Sequence, residues 1–302
     1  MQLTFATRPS ALARWQTAHV IQLLQAAHPG LECIERVIVT TGDRELDQLV
    51  PEIGHKGLFT SELEYALLSG EVQAAVHSLK DLPIEDTPGI VIAAIPEREA
   101  AQDVLVCAGR QTLSRLPEGA RVGTGSLRRS AQLVARRPDL TILPLRGNVD
   151  TRLQKMLNGE YDAIVLAQAG LTRLGLQAYI SQVLPLDVML PAPGQGALAV
   201  QCRADDTETL EVLAAINDPL TAAAVGAERA FLSGLGGGCS LPIAAFAEKN
   251  NGQIILTGAV ISADGKQSIR LSAADKEPEK LGERLAQLVI ERGAAELLKA
   301  VA

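Results

Sequence analysis

The stretch Arg121-Val-Gly-Thr-Gly-Ser-Leu-Arg-Arg-Ser-Ala-Gln-Leu-Val-Ala-Arg-Arg137, continued by Pro138-Asp-Leu-Thr-Ile-Leu-Pro-Leu145, decides the reading of the fold. Residues 121–123 read as a short strand and 123–126 as a tight loop. A helix then runs from about 127 to 137, where Pro138 closes it. A strand at 141–145, a helix at 149–157 and a strand at 163–166 repeat the pattern. Upstream, a strand at 3–6 leads through Thr7-Arg-Pro-Ser10, with Ser10 as N-cap, into a helix that stops at Pro29-Gly30. Strands at 34–39, 73–76, 90–95 and 104–107 follow. Ser61 and Glu64 are spaced as a capping box for a helix ending at Gly70. Such alternation predicts parallel sheets with helices on both faces. The turn Gly194-Gln-Gly-Ala197 leads to one more strand, 198–202.

After about Pro219 the pattern changes. A helix at 220–232 precedes Gly234-Leu-Gly-Gly-Gly-Cys239. Strand-like runs at 243–247, 254–260 and 268–271 are separated by Asn250-Asn-Gly252 and Asp264-Gly265. A final helix spans 277–301. Hairpins with helices on one face describe an α+β domain.

The 302 residues are 47% hydrophobic and 21% charged, which is globular material for two or three domains. Aromatics are only 3%, so the cores are aliphatic and stacking platforms for nucleic acid are disfavoured. The N-terminus lacks a basic stretch followed by an apolar run, and no run approaches the ~20 residues of a bilayer span. Cys33, Cys107, Cys202 and Cys239 lie far apart with no C-x-x-C pair. Neither a disulfide framework nor a cysteine metal site is expected, and a cytoplasmic chain with reduced thiols is. Net charge is −7, yet residues 121–152 hold seven arginines against Asp139 and Asp150. One concentrated basic segment in an acidic chain suits a small polyanion better than DNA.

Four sets of residues carry candidate chemistry. The loop Thr124-Gly-Ser126 opens a helix, where backbone N–H groups favour an anion, and Arg128 and Arg129 add paired donors. An ordinary turn before a solvated helix would look the same. His77-Ser-Leu-Lys-Asp81 follows a strand, where open α/β sheets place ligands; a surface loop with a weak ion pair is the alternative. Cys239 follows three glycines and could be reached by an electrophile, although a lone cysteine is commonly structural. Arg8 with Ser10, and Arg146 with Arg152, sit at strand ends or helix starts, as solvated side chains also do. The convergence of all four favours ligand capture in a cleft.

Taken jointly, Ala6-Thr-Arg-Pro-Ser10, Lys56-Gly-Leu-Phe59, His77-Ser-Leu-Lys-Asp-Leu-Pro83, residues 123–129, Leu145-Arg-Gly-Asn148 with Thr151-Arg152, Pro193-Gly-Gln-Gly-Ala197 and Gly237-Gly-Cys239 resemble the porphobilinogen deaminase family in order and spacing, end to end. The resemblance implies two doubly wound α/β domains of the periplasmic-binding-protein type II kind, residues 1–97 with 194–216 and residues 98–193. Residues 217–302 would form an α+β domain with a three-stranded antiparallel sheet. It implies a transferase that condenses four porphobilinogen molecules head to tail, loses ammonia and releases linear hydroxymethylbilane. It further implies a dipyrromethane cofactor on a thioether to Cys239, with Asp81 as the catalytic carboxylate. Arg8, Ser10, Lys80, Thr124, Ser126, Arg128, Arg129, Arg146 and Arg152 match residues that bind acetate and propionate groups. Lys56, Phe59, Ser78 and Gln195 stand in the matching motifs and complete the binding set. A monomer without nucleic-acid or membrane partners goes with it. Gly125, Gln102 and Gly236 depart from the family pattern, which commonly has Ser, Arg and Glu there. The rival reading is a non-catalytic anion- or solute-binding module of the same α/β type; it explains the arginines but neither Cys239 nor the extra domain.

Overall fold

In the computed structural model, the strand–helix alternation closes into two five-stranded sheets and a three-stranded one. The structure describes residues 1–44, 60–237 and 241–299; Lys56, Phe59 and Cys239 lie outside them. The chain divides into two compact units, Met1–Glu99 with Ala197–Ala222, and Ala100–Gly196 with Ala223–Ala302.

The sheet of the first unit is built from β1 (Gln2–Thr7), β2 (Glu32–Val37), β3 (Ala74–Ser78), β4 (Ile90–Ala94) and β10 (Leu198–Arg203), in the order β2-β1-β3-β10-β4. Leu3 and Phe5 pack with Val20 and Leu24 of α1 (Ala11–Ala27) on one face. Ala6 and Ala75 pack with Leu63 and Leu67 of α3 (Ser61–Leu68) on the other. Ser10 caps α1 as its position predicts, its Oγ accepting from the Ala13 N–H at 3.3 Å. The capping box at α3 does not form. Thr60 is the N-cap, which places Ser61 inside the first turn, and Glu64 accepts instead from Thr87 Oγ1 at 2.9 Å and Gln201 Nε2 at 3.2 Å.

The second unit holds β5 (Asp103–Cys107), β6 (Arg121–Gly123), β7 (Thr141–Leu143), β8 (Ala163–Ala167) and β9 (Gln182–Val183), in the order β7-β6-β8-β5-β9. Helices α4 (Leu127–Arg136), α5 (Val149–Leu157) and α6 (Gln168–Arg173) flank it. The three-stranded antiparallel sheet β11 (Ile243–Asn250), β12 (Gln253–Ile261) and β13 (Ser268–Asp275) belongs to the same unit. One face of it buries Phe231 of α8 (Pro219–Gly234) and Leu285 of α9 (Pro278–Glu291). The single terminal helix expected at 277–301 is two: Gly293, at φ +97°, ends α9 before α10 (Ala294–Lys299).

The larger sheets are mixed, not parallel. β10 runs antiparallel to β3 and β4, and β5 antiparallel to β8 and β9. A βαβ crossover forces parallel pairing. Neither β5 nor β10 is delivered by one: each follows a place where the chain passes from one unit to the other. The reversal matters for the site. It puts the first residue of β10 opposite Ser78, the last of β3, and the first residue of β5, Asp103, opposite Ala167, the last of β8. Among the described residues no single helix is long and apolar enough to cross a membrane; α7 (Thr207–Ala214) and α8 reach that length and apolar composition only when taken together.

Candidate active site

In the first unit, β1 and β3 are parallel neighbours, so their carboxyl ends share one sheet edge. That edge carries Arg8 and Ser10 after β1, Ser78 at the end of β3, and Lys80 and Asp81 after it. The chain past β3 tightens into a 3₁₀ turn, Leu79–Asp81, held by Leu82 N–H to Leu79 O at 3.2 Å and by Leu79 N–H to Ala197 O at 3.0 Å. The second bond ties the turn to the start of antiparallel β10. Gln16 Nε2 donates to Ser78 Oγ at 2.8 Å, fixing α1 to the same turn. Asp81 stands on it with its side chain exposed. His77, one residue inside β3, is buried, and its Nε2 has no hydrogen-bond partner among the described residues. Burial, reinforced by the Arg8 charge, pushes its pKa down to about 4.

Arg8 forms an ion pair with Asp43 of α2 (Thr41–Arg44), its Nε donating to Oδ2 at 3.2 Å. Burial opposes ionisation of Asp43, but hydrogen bonds from Arg8 and Thr40 outweigh it and hold the carboxyl below its usual range.

In the second unit, β6, β7 and β8 are parallel, and their carboxyl edge gathers Thr124, Ser126, Arg128, Arg129, Arg146 and Arg152. Ser126 is the N-cap of α4; its Oγ accepts from the Arg129 N–H at 3.4 Å. Thr124 Oγ1 accepts from the Ser126 N–H at 3.2 Å, folding the loop on itself. Gly125 meets a spatial limit: a Cβ there would lie 2.7 Å from Leu145 O. Arg146 is exposed, and Arg152 Nε donates to Gly147 O at 2.7 Å.

Arg128 and Arg129 point inward. They are 4% and 6% exposed, and the Asp103 carboxylate that both bind is 0% exposed. Oδ2 accepts from Arg128 Nη1 at 2.7 Å; Oδ1 accepts from Arg129 Nε at 3.0 Å and Nη2 at 2.7 Å. Gln195 Nε2 reaches the same Oδ1 at 2.9 Å and Ala101 O at 2.7 Å. Burial alone would raise the Asp103 pKa; the two guanidinium charges outweigh it and drive it far below the carboxylate range. Two arginines of the basic segment therefore share one carboxylate outside it, which neutralises one of their two charges, and Arg121 pairs with Asp162 at 2.9 Å. The window count had overstated the free positive charge. Gln195, expected as a binding residue, is wholly buried in this network. Arg173, which no motif singled out, is also buried; it lies on α6 and donates to Gly196 O at 2.7 Å.

The family description "Porphobilinogen deaminase, dipyromethane cofactor binding domain" matches residues 3–211, and "Porphobilinogen deaminase, C-terminal domain" matches residues 222–291. This chain belongs to the porphobilinogen deaminase family. Porphobilinogen deaminases of Brevibacillus brevis and Moorella thermoacetica are each 49% identical to it; the first alignment covers 98% of this chain and 96% of the relative, the second 100% and 97%. Among solved structures, the periplasmic VFT2 domain of Bordetella pertussis BvgS aligns with TM-score 0.42 at 18% identity, over 71% of this chain and 86% of that one. A Salmonella typhimurium periplasmic binding protein of high arginine specificity aligns with TM-score 0.40 at 15% identity, over 73% and 93%. The donor set of the second unit fits the family's cofactor, whose substituents are carboxylates. Two buried guanidiniums share one carboxylate, so the pair keeps a net positive charge where solvent screens little.

Proposed function

We propose that this chain catalyses the head-to-tail condensation of four porphobilinogen molecules, with loss of ammonia and release of linear hydroxymethylbilane. The observation that carries the reading is the pair of buried guanidiniums on a single carboxylate at the carboxyl edge of the second sheet. A neutral solute would leave that excess charge uncompensated; acetate and propionate groups answer it. Bound through a thioether to Cys239, a dipyrromethane supplies the acceptor pyrrole to which the units are joined. Arg128, Arg129, Arg146 and Arg152, with the Thr124–Ser126 loop, hold carboxylates. Arg8, Ser10 and Lys80 do so in the first unit, and Lys56, Phe59, Ser78 and Gln195 complete the set.

Asp81 is the catalytic carboxylate. It stands on a turn braced by three hydrogen bonds. Its negative charge stabilises a substrate pyrrole that turns cationic as ammonia leaves, and it can accept and return the proton of the pyrrole N–H. The arginines also attract the two carboxylates of the substrate, an effect that weakens with salt. We read the chain as three domains, 1–97 with 194–216, 98–193 and 217–302, because the last two each have their own sheet and core. The reading extends to a cytoplasmic monomer that binds neither nucleic acid nor membrane.

Intact-mass measurement tests the assignment. The purified chain is expected to exceed its sequence mass by one dipyrromethane and to lose the excess in Cys239→Ser. Asp81→Ala is expected to keep the added mass and lose about 10²–10⁴ in turnover. Turnover near the parent's in that variant would refute the role of Asp81.

A further inference from the structure

We propose that Asp103 is the positioning residue of the carboxylate-binding arginines, setting the two guanidiniums as one oriented pair; this rests on the reading that Arg128 and Arg129 bind acidic groups. The geometry divides the donors of each arginine in two. Arg128 spends Nη1 on Asp103 at 2.7 Å and on Leu190 O at 2.6 Å. Arg129 spends Nε and one hydrogen of Nη2 on Asp103, and one hydrogen of Nη1 on Val165 O at 3.2 Å. A guanidinium has five N–H donors in a fixed plane, so fixing one side fixes the direction of the rest. Among the described residues, Nε and Nη2 of Arg128 have no protein acceptor. Asp103 thus satisfies the inner halves of both side chains and leaves the outer halves for an anion.

The backbone placement supports the same conclusion. Asp103 reaches this edge only because β5 runs antiparallel, which sets its first residue beside Ala167. Gln195 links its Oδ1 to the segment by which the chain leaves the unit, and Gln195 also donates to Ala101 O, at the segment by which it enters. The carboxylate therefore joins the two arginines to both connecting segments.

Charge and orientation make opposite forecasts, which makes the idea testable. Removing the Asp103 charge adds one positive charge to the pair. If charge alone governed binding, Asp103→Asn would bind porphobilinogen more tightly. If orientation governs it, the guanidiniums repel and splay, and binding weakens.

The test uses the full chain carrying Asp103→Asn or Asp103→Glu, with three readouts: the fraction bearing the dipyrromethane mass, KM and kcat of the loaded fraction, and the thermal midpoint. Asp103→Glu keeps the charge but lengthens the side chain, so it moves the guanidiniums without unbalancing them. We expect it to melt within a few degrees of the parent, to load less cofactor, and to raise KM by tenfold or more with kcat within about threefold. Asp103→Asn is expected to melt earlier and to raise KM further. A parental or lower KM in either variant would overturn the proposal. So would failure of both to fold, because a positioning role is separable from the fold. Arg129→Lys separates the two levels of inference. If it loads fully at parental KM, the carboxylate-binding reading itself fails. If it loses loading or affinity while the Asp103 variants do not, only the positioning role fails.

Discussion

Two buried ionisable residues set different acid limits on the folded state. His77 is held neutral, with its pKa pushed from an ordinary value near 6.5 down to about 4. The unfolded chain binds a proton there that the folded chain refuses, so stability is complete above about pH 6.5 and falls as pH drops towards 4. The full loss is on the order of 3 kcal/mol. Asp103 acts in a lower window. Its carboxylate is stabilised by Arg128 and Arg129, so its contribution is complete above the ordinary carboxylate pKa and is lost only as pH falls well below it. Urea midpoints between pH 7 and pH 4 should therefore fall in the parent and fall much less in His77→Gln. An identical slope in the variant would show that another group carries the proton linkage.

At the scale of elements, the sequence was legible where local chemistry decides and opaque where the chain's path does. Ser10 caps its helix as its position suggests, and Ser126 does the same for α4, because an N-cap needs only a side chain and an N–H three residues on. Ser61 and Glu64 have the right spacing for a capping box but lose to tertiary competition, since Thr87 and Gln201 offer Glu64 better partners. Strand direction was misread because β5 and β10 take theirs from the passage between units, which no local pattern encodes. The same blindness hid the counter-ions. Arg8 meets Asp43 across 35 positions and Arg129 meets Asp103 across 26, so the ligand-facing residues could be read from motifs while their partners could not. Gly258 of β12 illustrates the point for packing. Replacing a strand glycine by alanine ordinarily gains about 0.5–1 kcal/mol. Here a Cβ would lie 2.4 Å from Cζ of the fully buried Phe231. Overpacking should win, so Gly258→Ala is expected to cost about 1–3 kcal/mol, and Phe231→Leu in the same chain should recover part of it. A stabilised Gly258→Ala would show that α8 yields easily.

At the scale of the whole second unit, one hairpin sets how the three-stranded sheet meets the arginine helix. Ala244, Ala259 and Ile261 pack against Ala131 and Leu190, joining the two cores. Arg270 of β13 donates to Leu186 O at 3.0 Å, and Arg136 of α4 donates to Asp187 O at 2.7 Å, so both elements grip one loop. The turn between β12 and β13 also lies against α4. A Cβ on Gly265 would lie 2.5 Å from Ala131 O and 2.8 Å from Ala135 N, both backbone atoms of α4 that can yield only if the helix itself moves. Gly265 also has φ +69°, so two constraints coincide, and they can be separated. Asparagine tolerates positive φ but carries a Cβ; valine tolerates neither condition. If contact governs, Gly265→Asn should lower the thermal midpoint by several degrees and reduce the dipyrromethane-loaded fraction, because the helix that shifts carries Arg128 and Arg129 in its first turn. Gly265→Val should do both more severely. Asparagine at parental midpoint and loading, with valine impaired, would mean that backbone conformation alone requires the glycine, and that the seating of this sheet on α4 leaves the arginines untouched.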